Sequence, residues 1–115
     1  MIKVMVNNQE SMKLRPIHPG DILRTEFLEP LKLKGKELAQ NIQVEEQTIL
    51  DLLEEKTKIT PELAYRLSCY FQVSAELFLN LQQRYDLKVL EQEQGEQIKQ
   101  VIKPYPRKEV SRKTF

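Results

Sequence analysis

Four consecutive residues, Glu45-Glu46-Gln47-Thr48, and the lysines that flank them, Lys34, Lys36, Lys56 and Lys58, carry most of the chemistry this chain can offer. A glutamine amide matches the N6/N7 edge of adenine. A threonine touches a thymine methyl or a phosphate, and a glutamate accepts from cytosine N4. Lysines on either side can clamp phosphates without reading sequence. That chemistry is non-covalent recognition of nucleic acid. Catalysis fails on inventory: there is no Ser-His-acid set, no glycine-rich phosphate loop and no paired metal ligands. With one His and one Cys, the chain cannot build a zinc site without carboxylates at suitable spacing. We expect no cofactor, no metal, no small-molecule substrate and no enzymatic activity.

The elements that must position these residues can be read from apolar spacing. Leu38, Ala39 and Ile42 share one helical stripe, and Ile49, Leu52 and Leu53 share a second. Between them Asn41-Ile42-Gln43-Val44 leaves room only for a tight turn. Two short amphipathic helices on such a turn predict a helix-turn-helix with the second helix projecting outward. A recognition helix reads base edges through its N-terminal residues. The candidate DNA contacts are therefore Lys36, Gln43, Glu45, Glu46, Gln47, Thr48, Lys56 and Lys58. The charge runs against them: residues 36–58 hold three basic and six acidic side chains. The alternative reading is a helix-turn-helix scaffold that binds a protein and has little affinity for DNA.

The rest of the chain reads as helical. Residues 1–6 are a short strand or a frayed end, and 7–15 a polar loop. Pro19 suits the first turn of a helix, with Asp21 at the end where its dipole favours an anion. His18 is a loop residue that helps cap that helix, and Pro30 ends or bends it. Thr60-Pro61-Glu62 opens a further helix with a cap, a proline and an acid, and Ser74 caps the last. The expected helices are 19–29, 35–42, 45–54, 61–71 and 75–92. Leu38, Ile42, Ile49, Leu52, Leu63, Leu67, Phe71, Leu77 and Leu81 form the expected core, and Cys69 a small buried apolar residue. Leu81, Tyr85, Leu87 and Leu90 on the last helix suit a two-fold contact between copies. Pro104 and Pro106 forbid regular structure, and the end from Lys103 carries five basic residues against Glu109.

Length and composition fit this outline. A chain of 115 residues, 40% hydrophobic and 30% charged, is sized for one soluble domain. A net charge of +1 does not by itself predict a polyanionic partner. A single cysteine excludes an internal disulfide. No secretory signal or membrane-length apolar run is visible, so a cytoplasmic location away from membranes is expected.

The words of the sequence resemble a known family. HPGDILRTEFLEPLKL (18–33), KELAQNI (36–42), KIT before PELAYRLSCYF (58–71) and SAELFLNLQQRYDL (74–87) are similar to the HigA-type antitoxins, helix-turn-helix proteins of the Xre/phage-repressor class. The resemblance covers roughly residues 16–90. It implies an all-α, five-helix domain at 16–90, with an extension at 1–15 and a charged, partly mobile tail at 91–115. It also implies a bacterial antitoxin that binds and silences a RelE-like ribonuclease toxin and represses its own operon as a homodimer on operator DNA. The chain departs from the family pattern where DNA is read. Gln43 stands where the turn often has Gly, Glu45-Glu46 where a Ser cap and Arg are frequent, and Glu54-Glu55-Lys56 where the loop often reads Asn-Gly-Lys.

Overall fold

The structure, a computed structural model, describes residues 15–106. Helix α1 is one helical run made of Pro19–Ile22, a π segment Leu23–Leu28 and a closing turn Glu29–Leu31. It is followed by α2 (Gly35–Ile42), α3 (Glu46–Leu53), α4 (Pro61–Phe71) and α5 (Ala75–Val101). No strand occurs among the described residues. The expected strand at 1–6 and the basic residues from Arg107 onward lie outside them.

Three helix starts follow from local chemistry. The His18 imidazole accepts at Nδ1 from the Gly20 N–H at 2.9 Å, and Pro19 fills the first position, whose N–H would be unpaired anyway. Thr60 Oγ1 accepts from the Leu63 N–H at 3.2 Å, again with a proline next in line. Ser74 Oγ accepts from the Glu76 N–H at 3.0 Å.

The helix ends share a device without a glycine cue. Lys32, Gln43, Glu55 and Gln72 all take left-handed backbone, with φ of 55°, 61°, 64° and 59°. In each case the next residue's N–H reaches back five positions: Leu33 to Leu28, Val44 to Ala39, Lys56 to Asp51 and Val73 to Ser68. This is the Schellman closure. After three of the four ends that next residue is apolar, and Leu33, Val44 and Val73 pack onto the core. Tertiary burial of these residues offsets the ~1–2 kcal/mol that an L-residue costs in that region.

Pro30 does not end α1; the helix continues through it to Leu31. A proline inside a helix removes one N–H and crowds the carbonyl four residues back. The preceding π segment accommodates it, as the Glu29 N–H bonding to the Arg24 carbonyl shows. Widening the turn in this way clears space for the ring. Arg24 bridges Asp21 and Glu29 along the outside of the same run.

Leu23, Leu28, Leu38, Ala39, Ile42, Ile49, Leu52, Ile59, Leu63, Ala64, Leu67 and Phe78 form the core. Three expected core residues stand differently. Leu77 is 40% exposed, while Phe71 and Leu81 are only half-buried. Helix α5 is rotated so that Phe78 enters the core, its ring 5.4 Å from that of Phe27, which in turn packs at a tilt against Phe71 at 4.9 Å. Leu77 lies about 100° around the helix from Phe78 and so faces outward. Cys69 is exposed on the outer face of α4, not buried as expected. Helix α5 also runs to Val101, well past the expected end near residue 92, with Gly95 inside it. A single Gly costs about 1 kcal/mol in a helix interior and does not break one.

Candidate nucleic-acid interface

Helices α2 and α3 pack tightly through Leu38, Ile42, Ile49 and Leu52, all buried. The turn between them is pinned from a third helix. Arg66 of α4 donates from Nη1 to the Ile42 carbonyl at 2.9 Å and to the Gln43 carbonyl at 3.4 Å. Its Nε and Nη2 meanwhile hold Glu62 Oε2 at 3.1 and 3.0 Å. These bonds satisfy carbonyls that the end of α2 leaves without intrahelical partners. They also hold Gln43 in its left-handed conformation, so the turn keeps the shape a glycine would give it. The angle at which α3 leaves the body follows from that turn.

Glu45, Glu46, Gln47 and Thr48 are all exposed, whereas Ile49 and Leu52 of the same helix are fully buried. Glu45 is the N-cap, with extended backbone, and its carbonyl accepts from the Thr48 N–H at 3.0 Å. Glu46 lies in the first turn. Both carboxylates sit at the end where the helix dipole favours anions, by ~0.3–1 kcal/mol each. A groove runs between α3 and the start of α4, lined by Glu45, Gln47, Thr48, Thr57, Lys58 and Arg66 among others. It thus brings together four of the residues singled out in the sequence: Glu45, Gln47, Thr48 and Lys58. Lys36, Gln43, Glu46 and Lys56 are exposed but do not line it.

Three of the candidate contacts are already engaged by carboxylates. Gln47 Nε2 donates to Asp51 Oδ1 at 2.8 Å, one helical turn on. Lys56 Nζ lies 3.0 Å from Glu54, and Lys58 Nζ 3.6 Å from Asp86. The hydrogen bond and charge of Glu54 hold the Lys56 ammonium above its ordinary pKa. The acidity seen in the sequence is therefore wired directly onto the groups that would contact DNA. Arg66 and Glu62 were not among the sequence candidates. The available signal was their i, i+4 spacing just after the Thr60-Pro61 start, which puts an ion pair on the first turns of a helix.

On α5, Tyr85 is half-buried, with its ring edge-on to His18 at 4.8 Å. Leu87 and Leu90 are 55% and 40% exposed. Among the described residues no group of three or more His, Cys, Asp or Glu side chains could hold a metal. No described helix is long and apolar enough to cross a membrane.

No family model matches the chain. It is 43% identical over 77 residues to virulence-associated protein I of Dichelobacter nodosus, covering 67% of this chain and 71% of that protein. It is 33% identical over 75 residues to antitoxin HigA-1 of Vibrio cholerae, covering 65% of this chain and 70% of that protein. Among solved structures it is similar to the Pseudomonas aeruginosa antitoxin HigA with the higBA promoter. That match has 40% identity and a TM-score of 0.76, over 78% of this chain and 98% of that one.

Proposed function

The chain belongs to the HigA-type helix-turn-helix family, and on that premise we propose that it is a cytoplasmic antitoxin. It represses its own operon through α3 and neutralises a RelE-like ribonuclease toxin by direct binding, without catalysis of its own. The observation that carries the DNA half is the division of α3: an apolar side sealed into the core and a first turn, Glu45–Thr48, wholly exposed. The similar Pseudomonas aeruginosa antitoxin, with its promoter, supports the same use of the fold.

In this reading Gln47 and Thr48 meet base edges, with Glu45, Glu46 and Gln43 beside them, while Lys36, Lys56 and Lys58 meet phosphates. Binding is weak for the chain alone, because Asp51, Glu54 and Asp86 already hold Gln47, Lys56 and Lys58. Each phosphate clamped adds ~0.9 to the salt slope, so the wild-type slope is shallow. The test is a salt titration of wild type and Glu45→Gln/Glu46→Arg on duplex from upstream of the gene. The double change tightens binding at every salt concentration and steepens the slope. Looser specific binding would mean that the glutamates read bases, and the weak-reader proposal would fall.

Leu87 and Leu90, with Leu81 and Tyr85 beside them, are proposed as a two-fold contact. It would set two recognition helices about 34 Å apart, one turn of the duplex. The toxin half is tested by co-expression with the adjacent gene. The expected outcome is relief of growth arrest and a co-purifying complex, with the antitoxin alone at twice 13.6 kDa in light scattering. Unrelieved arrest without co-purification refutes the toxin partner, and a monomer mass refutes the dimer.

A further inference from the structure

A relay of three contacts joins the buried side of α5 to the exposed loop between α3 and α4. Gln82 is 6% exposed and, with His18, one of two buried polar side chains among the described residues. Its Oε1 accepts from the buried Ile59 N–H at 2.8 Å, across 23 residues of sequence. Its Nε2 donates to Asp86 Oδ1 at 3.0 Å, one turn further along α5. The other carboxylate oxygen of Asp86 lies 3.6 Å from Lys58 Nζ. A backbone amide thus fixes a buried carboxamide, which aims a carboxylate, which holds a cation on the groove beside Gln47 and Thr48.

We propose that Asp86 is a positioning residue that withholds Lys58 from the phosphate backbone, so that affinity for DNA is limited from α5. The inference rests on the reading of Lys58 as a phosphate clamp. Gln82 makes Asp86 different from an ordinary surface acid, because one of its oxygens is engaged and the carboxylate cannot swing away freely. Lys58 and Asp86 have 71% and 42% exposed side chains, so the pair is loose enough to break on binding. An exposed pair of this kind shifts an equilibrium by about two- to fivefold. That is the share of operator affinity that Asp86 removes.

Asp86→Asn keeps an oxygen for Gln82 to donate to and removes only the charge. Operator binding is measured across a salt series for wild type, Asp86→Asn, Lys58→Gln and the double variant, with melting curves to show that all four are folded. The expected result is that Asp86→Asn tightens binding about two- to fivefold and steepens the salt slope by up to ~0.9. In the Lys58→Gln background the same change does almost nothing. An equal gain in both backgrounds would mean a general field effect and overturn the tether. No gain from Asp86→Asn, while Lys58→Gln weakens binding, would also overturn it but leave Lys58 as a clamp. If the double variant binds as tightly as Asp86→Asn alone, Lys58 is no clamp, and the underlying reading fails instead.

Discussion

Gly20→Ala is expected to destabilise the protein by about 3 kcal/mol or more, at the top of the range for overpacked sites. Gly20 is buried in the first turn of α1, where that helix meets the C-terminal end of α3. A Cβ there would sit on the Leu52 carbonyl oxygen, 2.9 Å from its carbon and 3.2 Å from His18 Nδ1. Neither neighbour can give way cheaply. The carbonyl is main chain, and the imidazole is committed to capping α1. The clash is relieved only if α1 and α3 separate, and α3 is the proposed recognition helix. Thermal unfolding should show a Tm about 10 °C or more below wild type. The residual folded protein should bind operator more weakly than its folded fraction predicts. Stability within half a kcal/mol of wild type would mean that the two helices are not in close approach.

Leu67→Ala should cost ~2–5 kcal/mol, the range for truncating a buried leucine and leaving a cavity. Leu67 is fully buried in α4, which packs on both α2 and α5. The cavity would open where three helices meet, so collapse to fill it would require moving more than one of them. Denaturant unfolding should show a lower midpoint with an unchanged slope, since the surface exposed on unfolding is nearly the same. A loss below half a kcal/mol would mean that α4 is not central. Because Arg66 precedes Leu67 and grips the turn after α2, a milder form of the same change, Leu67→Val, is useful for separating core loss from turn loosening.

Helix starts were legible because they are written in local chemistry. His18, Thr60 and Ser74 all cap the helices assigned to them from sequence. Apolar spacing placed the ends of α2 and α4 at Ile42 and Phe71 and that of α3 within a residue, while α1 and α5 run past their expected ends. Lys32, Gln43, Glu55 and Gln72 carry none of the glycine signal that normally marks a left-handed closure. Only the apolar residue that follows three of them hints at the device. The phase of α5 was ambiguous for a different reason. Leu77, Phe78, Leu79 and Leu81 surround much of the helix, and periodicity cannot choose a face when apolar residues occupy most of them. Space beside Phe27 accepted the Phe78 ring and left Leu77 outside.

The linear sequence specified the helix-turn-helix, the exposed first turn of α3 and the sign of the charge there. All three depend on residues close together in the chain, through helical spacing, capping and composition. It could not place Gln82 against Ile59, Asp86 against Lys58, Arg66 against the α2 turn, or Gly20 against Leu52. Apart from the Gly20 and Arg66 contacts, which span 32 and 24 or 23 residues, these join the loop before α4 to α5 across 23 and 28 residues. Such contacts form only when packing of the apolar faces brings distant segments together, and a hydrogen bond or ion pair requires placement within a few tenths of an ångström. Packing therefore sets which of the proposed DNA contacts are held by a carboxylate.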